Sequence, residues 1–248
     1  MMRYKSVRKV NERGEFQPFP GVTVVSKAFD NNPALCEQIY NCISSIEGIR
    51  DYYALLPFAS YHMTSFGVCT QRYEGGNDWN AFIDRSLSYF QDLGTCVNSH
   101  KFDPQISFSS VEREGAIQVV VNLLHDQDRM IHTIAHQVDR TPAVPSEFHI
   151  TLAYQYNMGV TIPKRIWAEI QQNILLVFKD LPPITLAPPR LCYFESMTAF
   201  IPWDGKANPF IPQSPNNFSR SPVFFGSQVP AIDSGHNSEK ILPLSYKS

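Results

Sequence analysis

The sequence predicts an α+β protein, and three observations carry that expectation. Apolar, β-branched runs mix with helix-spaced stripes without the regular strand–helix–strand rhythm of a doubly wound sheet. A loose two-fold repeat runs along the chain: a proline, a β-prone run bearing His-x-Thr, a helix, and then the same order again. The 248 residues are 43% hydrophobic, enough to bury a sizeable core as one domain of two lobes or as two small domains. A pseudo-symmetric pair of lobes is the simplest way to bring the two repeats together.

The elements follow in order. Gly14 to Pro20 reads as a turn-rich entry and Val22 to Ser26 as a strand. Asn32-Pro33 opens a helix, with proline suited to its first turn. Leu35, Ile39, Ile43 and Ile46 continue it at helical spacing, and Gly48 stops it. After the short apolar run Tyr53 to Leu56 and Pro57 comes the first motif strand, Tyr61 to Val68. Gly75-Gly76-Asn77-Asp78 caps a second helix whose stripe is Trp79, Phe82, Ile83, Leu87 and Phe90. Gln105 to Val111 and Ala116 to Leu123 read as a hairpin, and Leu124 to Val138 as a third helix. Pro145 precedes the second motif strand, Phe148 to Tyr156. Pro163 opens a fourth helix with Ile166, Ile170, Ile174 and Val177 on one side; Ile184 to Leu186 and Leu191 to Ile201 are the closing strands. A domain is therefore expected over 14–202. Beyond it, periodicity is lost apart from Val223-Phe224-Phe225, and 203–248 reads as a Pro/Ser/Asn-containing C-terminal extension.

Composition narrows the function. The net charge is −2, so no global basic field draws the chain to nucleic acid or an anionic membrane. No apolar run approaches the roughly eighteen residues of a transmembrane helix, and the basic start, Met1 to Lys9, is not followed by the apolar segment of a secretory signal. The five cysteines are odd in number and contain no Cys-x-x-Cys, which suits free thiols in a reducing compartment. The expectation is a cytoplasmic monomer with no membrane contact and no stable protein partner.

Two histidines sit in the same short frame: Ser60-Tyr61-His62-Met63-Thr64-Ser65-Phe66 and Glu147-Phe148-His149-Ile150-Thr151-Leu152-Ala153. Residues two apart on a strand share a face. His62 with Thr64, and His149 with Thr151, therefore each place an imidazole and a hydroxyl on one side. Tyr61 and Met63, or Phe148, Ile150 and Leu152, turn to the other side. His236-Asn237-Ser238 fits the same letters in a polar tail without a strand pattern, and is read as chance. Imidazole titrates near neutral pH, so two of them can share an acid/base cycle, one taking a proton from the attacking oxygen and the other delivering one to the leaving oxygen. Threonine hydroxyls can donate to non-bridging phosphate oxygens. Such a set suits in-line attack on a phosphodiester, above all a cyclic 2′,3′-phosphate, with no metal or other cofactor.

The paired His-x-Thr motifs, 87 positions apart, resemble the 2H phosphoesterase superfamily. Within it the chain resembles a branch catalogued as a domain of unknown function. The matching stretches are Pro18 to Val24, Leu55-Leu56-Pro57 leading into the first motif, Phe148 to Leu152, and Pro188 to Thr198. The resemblance implies a bilobal fold with antiparallel sheets and flanking helices around a central cleft. It also implies metal-independent chemistry on 2′,3′-cyclic phosphate or 2′–5′ linkages of a nucleotide or RNA end. By motif position, His62 and His149 carry over as the catalytic acid/base pair, in either assignment, and Thr64 and Thr151 as phosphate ligands.

Other readings compete. His125, Asp128, His132, His136 and Asp139 fall on one face of the third helix, and His132 and His136 have the i,i+4 spacing of a zinc helix. The glutamate that hydrolytic zinc helices carry after the first histidine is missing, and a solvated polar face explains the pattern as well. An alternative reading is a module whose cleft binds a nucleotide or RNA end without turnover. Tyr61, Phe66, Tyr154 and Tyr156 are candidates to stack a base, or are core and rim aromatics. Arg72, Lys101 and Arg190 are candidate phosphate contacts or ordinary surface charges; Cys69 and Cys192 read as buried fillers rather than nucleophiles.

Overall fold

The β-branched run at the start of the chain and the two motif runs become neighbours in one sheet. The structure, a computed structural model, describes residues 9–211 other than 76, 77, 114, 139 and 158. In chain order the strands are β1 (Gly21–Lys27), β2 (Tyr53–Leu55), β3 (His62–Thr70), β4 (Gln105–Glu112), β5 (Ala116–Leu123), β6 (His149–Gln155), β7 (Ile184–Thr185), β8 (Arg190–Phe194) and β9 (Ile201–Pro202). The helices are α1 (Pro33–Ser44), α2 (Trp79–Arg85), α3 (Leu87–Ser99), α4 (Gln127–Ala135) and α5 (Lys164–Phe178).

All pairings among these strands are antiparallel, and the sheet runs β7-β4-β5-β6-β3-β1-β8-β9, with β2 also paired to β6. It curls strongly into a half-barrel with flanking helices, the α+β architecture that the sequence predicts. The two lobes are halves of this one sheet. They meet where β3 and β6 touch, at the single register pair Met63 and Ile150. Each half thus contributes its motif strand to the seam.

The helices cover the core face. Ile39 and Ile43 of α1 and Ile166, Ile170 and Ile174 of α5 are all 5% exposed or less, as the helical spacing of these residues requires. Asn173 of α5 donates to the Cys42 carbonyl of α1 at 3.0 Å, tying the two helices together. Burying each such side chain contributes roughly 1.5–3 kcal/mol.

Three expectations are adjusted. The second helix is two, because the chain breaks at buried Ser86 (φ −106°, ψ 6°), which ends α2 and precedes α3. The third helix is shorter, because His125 and Asp126 both adopt left-handed backbone (φ 56°) and helix begins only at Gln127. Residues 203–211, read as extension, pack on the domain: Trp203 meets Phe90 at 5.1 Å, Phe210 meets Trp79 at 5.3 Å, and buried Asn208 donates to the Asn80 carbonyl. Gly205 explains how the chain passes so close: its φ is +75°, and a Cβ there would lie 2.7 Å from the Gln91 nitrogen. Val223 to Phe225 and His236 lie outside the described residues. Among the described residues no helix is long and apolar enough to cross a membrane.

Candidate functional site

The first motif strand starts where it does because of the turn before it. Ser60 and Tyr61 donate back to the carbonyls of Pro57 and Phe58, and Ala28 then donates to the Tyr61 carbonyl, so β3 begins at His62 beside the end of β1. From there the register decides which side chains share a face. Met63 stands opposite Ile150, so antiparallel pairing sets His62 beside Thr151 and Thr64 beside His149. Opposite residues lie about 5 Å apart at Cα and point the same way. Lys27 of β1 stands opposite His62, and Val25 opposite Thr64. On the other flank, Gln118 of β5 stands opposite Thr151, and Val120 opposite His149. Two cross-sheet rows result, Gln118–Thr151–His62–Lys27 and Val120–His149–Thr64–Val25, and Arg190 of β8 extends the second. The register sets both motifs on the same face of the sheet.

Two bulges then set the aromatic surroundings. Counted by twos, Phe66 would share the face of Thr64. The ladder slips at Ser65, so Phe66 pairs with Val24, on the core side with Met63. On β6 the slip at Leu152 places Tyr154 opposite Ala116, on the same side as Thr151 opposite Gln118. The stacking candidates therefore separate. Phe66 and Tyr61 are each 1% exposed in the core and have no face to offer a base. Burial also pushes the Tyr61 phenol well above its ordinary range. Tyr154 is half-buried on the cleft side, with its hydroxyl 3.3 Å from Lys9 Nζ. Tyr156 donates to the Arg50 carbonyl, away from the motifs.

Each catalytic candidate uses its ring in the same way. His62 Nδ1 lies 2.7 Å from the Ser60 carbonyl, and His149 Nδ1 lies 3.3 Å from the Glu147 carbonyl. A carbonyl only accepts, so Nδ1 carries the proton in both rings and Nε2 is left for chemistry. The environments differ. His62 is 9% exposed with Phe200 3.9 Å away ring to ring, whereas His149, Thr64 and Thr151 are half-buried. Burial, offset in part by the Ser60 hydrogen bond and reinforced by the charges of Lys9, His149 and Lys27, pushes the His62 pKa down to about 4. His62 is therefore neutral at pH 7.

A cavity of about 330 Å³ opens against this face, lined by His62 and Thr64 together with Lys9, Phe19, Tyr73 and Phe200. His149 and Thr151, on the neighbouring strand, do not line it. A larger cavity of about 760 Å³, beside Trp79, Asn80 and Glu195, touches neither motif. Its size carries no chemistry, and the smaller cavity holds the imidazole. Cys69 also lines the smaller one, but burial pushes its thiol up, so it offers no thiolate. Cys192 is buried likewise, its thiol pushed up to about 11.

The rival constellation disperses. His125 precedes α4 in left-handed backbone and His136 caps its end, so His125, His132 and His136 do not share one helix face. Among the described residues no three His, Cys, Asp or Glu side chains converge to hold a metal ion; Asp139 is outside them. Of the candidate phosphate contacts, Arg190 lies on the cleft side, Arg72 rests 5.1 Å from the Tyr73 ring, and Lys101 is exposed. Lys9 and Lys27 were not recognisable from sequence. Lys9 sits in a basic run without strand pattern, and Lys27 reaches the site only through the β1–β3 register.

The fold is an α+β domain whose curled antiparallel sheet carries both His-x-Thr motifs on adjoining strands. Residues 9–127 match a family model named 2H-phosphodiest, described as Domain of unknown function (DUF1868). That stretch contains His62 and Thr64 and ends before His149 and Thr151. The name points to phosphodiesterase chemistry and the description leaves the function open. The crystal structure of a conserved protein of unknown function from Agrobacterium tumefaciens str. C58 has the same fold, with a TM-score of 0.61 and 20% identity over 79% of this chain and 90% of that one. No curated protein matches the chain.

Proposed function

We propose that the protein is a metal-independent phosphodiesterase acting on 2′,3′-cyclic phosphate or 2′–5′ linked substrates of the nucleotide or RNA-end class. The observation that carries this reading is the seam itself: two imidazoles and two threonines on one face of adjoining strands, each imidazole held through Nδ1 by a carbonyl two residues back. Held neutral, His62 is suited to be the base and His149 the acid. His62 Nε2 takes the proton of a water whose oxygen attacks phosphorus in line. The bond from phosphorus to the ribose oxygen breaks, and His149, entering the step protonated on both ring nitrogens, delivers its Nε2 proton to that oxygen. Thr64 and Thr151 donate to the non-bridging oxygens as charge builds on them. Each proton transfer typically contributes about 10²–10⁴-fold.

A panel of 2′,3′-cyclic nucleotides, 2′–5′ and 3′–5′ dinucleotides and cyclic dinucleotides, assayed with EDTA, tests the reading. Turnover of a cyclic phosphate or 2′–5′ bond is expected. It should survive chelation and be lost in both His62→Asn and His149→Asn, whose amides keep the Nδ1 hydrogen bond without Nε2. Full activity in both variants would reject the mechanism.

A further inference from the structure

We propose that Lys9 is a phosphate-binding residue of this cleft, an ammonium parked on aromatic faces beside His62 until an anion takes it. The proposal deepens the phosphodiesterase reading and rests on it for the kind of anion. Lys9 is not a loose terminal lysine. Val10 is 3% exposed and bridges to Phe16, Gln17 donates to the Lys9 carbonyl at 3.0 Å, and the Asn11 side chain accepts from the nitrogens of Arg13 and Glu15 at 2.9 Å. This strap holds Lys9 half-buried over the cavity that His62 and Thr64 line.

Its ammonium has unusual company. It lies 4.8 Å from the centre of the Tyr154 ring and 5.7 Å from that of Phe19, and 3.3 Å from the Tyr154 hydroxyl. Among the described residues no ion pair joins it to a carboxylate. Glu74 lines the same cavity, and burial pushes its carboxyl up. Aromatic faces replace part of an ammonium's hydration without cancelling its charge. An ammonium held in this way moves onto an anion without first breaking a salt bridge. A chain of net charge −2 thus gathers Lys9, Lys27 and Arg190 on the face that carries both imidazoles. Phosphate is the ligand that this face suits: hydroxyl donors from Thr64 and Thr151 for the oxygens, and ammonium for the charge.

Calorimetric titration of inorganic phosphate at low ionic strength tests the assignment without requiring turnover. Wild-type protein should bind phosphate, Lys9→Met should weaken binding about tenfold or more, and Lys9→Arg should recover most of it. Thermal unfolding without phosphate checks that each variant is folded; if Lys9→Met is not, Lys9→Gln reports the same quantity. Equal phosphate affinity in the wild type and in a folded Lys9 variant overturns the proposal, as does wild-type protein that binds no phosphate. The two readings fail separately. Lys9-dependent phosphate binding with no turnover across the substrate panel leaves Lys9 an anion ligand and removes the enzyme. Turnover with unchanged KM in Lys9→Met keeps the enzyme and removes Lys9 as a ligand.

Discussion

Burying His62 neutral has a consequence for the whole fold. Its ring is 9% exposed and its pKa falls from 6.5 to about 4, so protons bind the unfolded chain more readily than the folded one between those values. A depressed folded-state pKa gives stability that is present above pH 6.5 and lost as the pH falls toward 4. Worked from the two pKa values, the loss reaches about 2 kcal/mol at pH 5 and about 3 kcal/mol at pH 4. Other groups titrate in the same window, so the informative quantity is a difference between proteins. His62→Asn keeps a donor for the Ser60 carbonyl and removes the titrating nitrogen. Its loss of the Phe200 contact lowers stability by an amount that does not change with pH. Urea unfolding followed by fluorescence of the three tryptophans, from pH 8 to pH 4.5, measures both proteins. The gap between wild type and variant should narrow on acidification by about 2 kcal/mol at pH 5. Parallel curves would refute the reasoning and mean that His62 accepts a proton in the folded state at no extra cost.

Further outcomes follow from the same geometry. Thr64→Val and Thr151→Val should each lower kcat about tenfold or more on a cyclic phosphate while leaving thermal stability nearly unchanged, as steady-state kinetics beside a melting curve would show. Ile170→Ala removes a side chain with 0% exposure between α5 and the sheet, and should cost about 2–5 kcal/mol in urea unfolding. Gly205→Ala should destabilise the domain by over 1 kcal/mol, because the new methyl meets the Gln91 backbone and the φ of +75° disfavours it; an unchanged melting temperature would show that 203–211 contributes nothing.

Much of the α+β character is readable in the chain because it is local. Period-two runs around His62 and His149, and the isoleucines of α1 and α5, each express a periodicity that a short window contains. The motif pair was legible for the same reason: His and Thr two apart must share a face wherever the strand is regular. The break at Ser86 and the left-handed turn at His125 and Asp126 were not, since ordinary residues adopt those angles only when surrounding packing demands it.

The amino-acid sequence alone determined which residues were chemically equipped, His62, Thr64, His149 and Thr151, and that each pair would lie on one side of its strand. Tertiary structure decided what meets them. The Met63–Ile150 register turned two separate pairs into one surface, and ladder slips at Ser65 and Leu152 withdrew Phe66 into the core and turned Tyr154 to the cleft side. A strap from the start of the chain brought Lys9 over His62. These are agreements between segments up to 145 positions apart, as in the Lys9–Tyr154 contact. A one-residue slip in any of them reverses a face, and no local pattern encodes that choice.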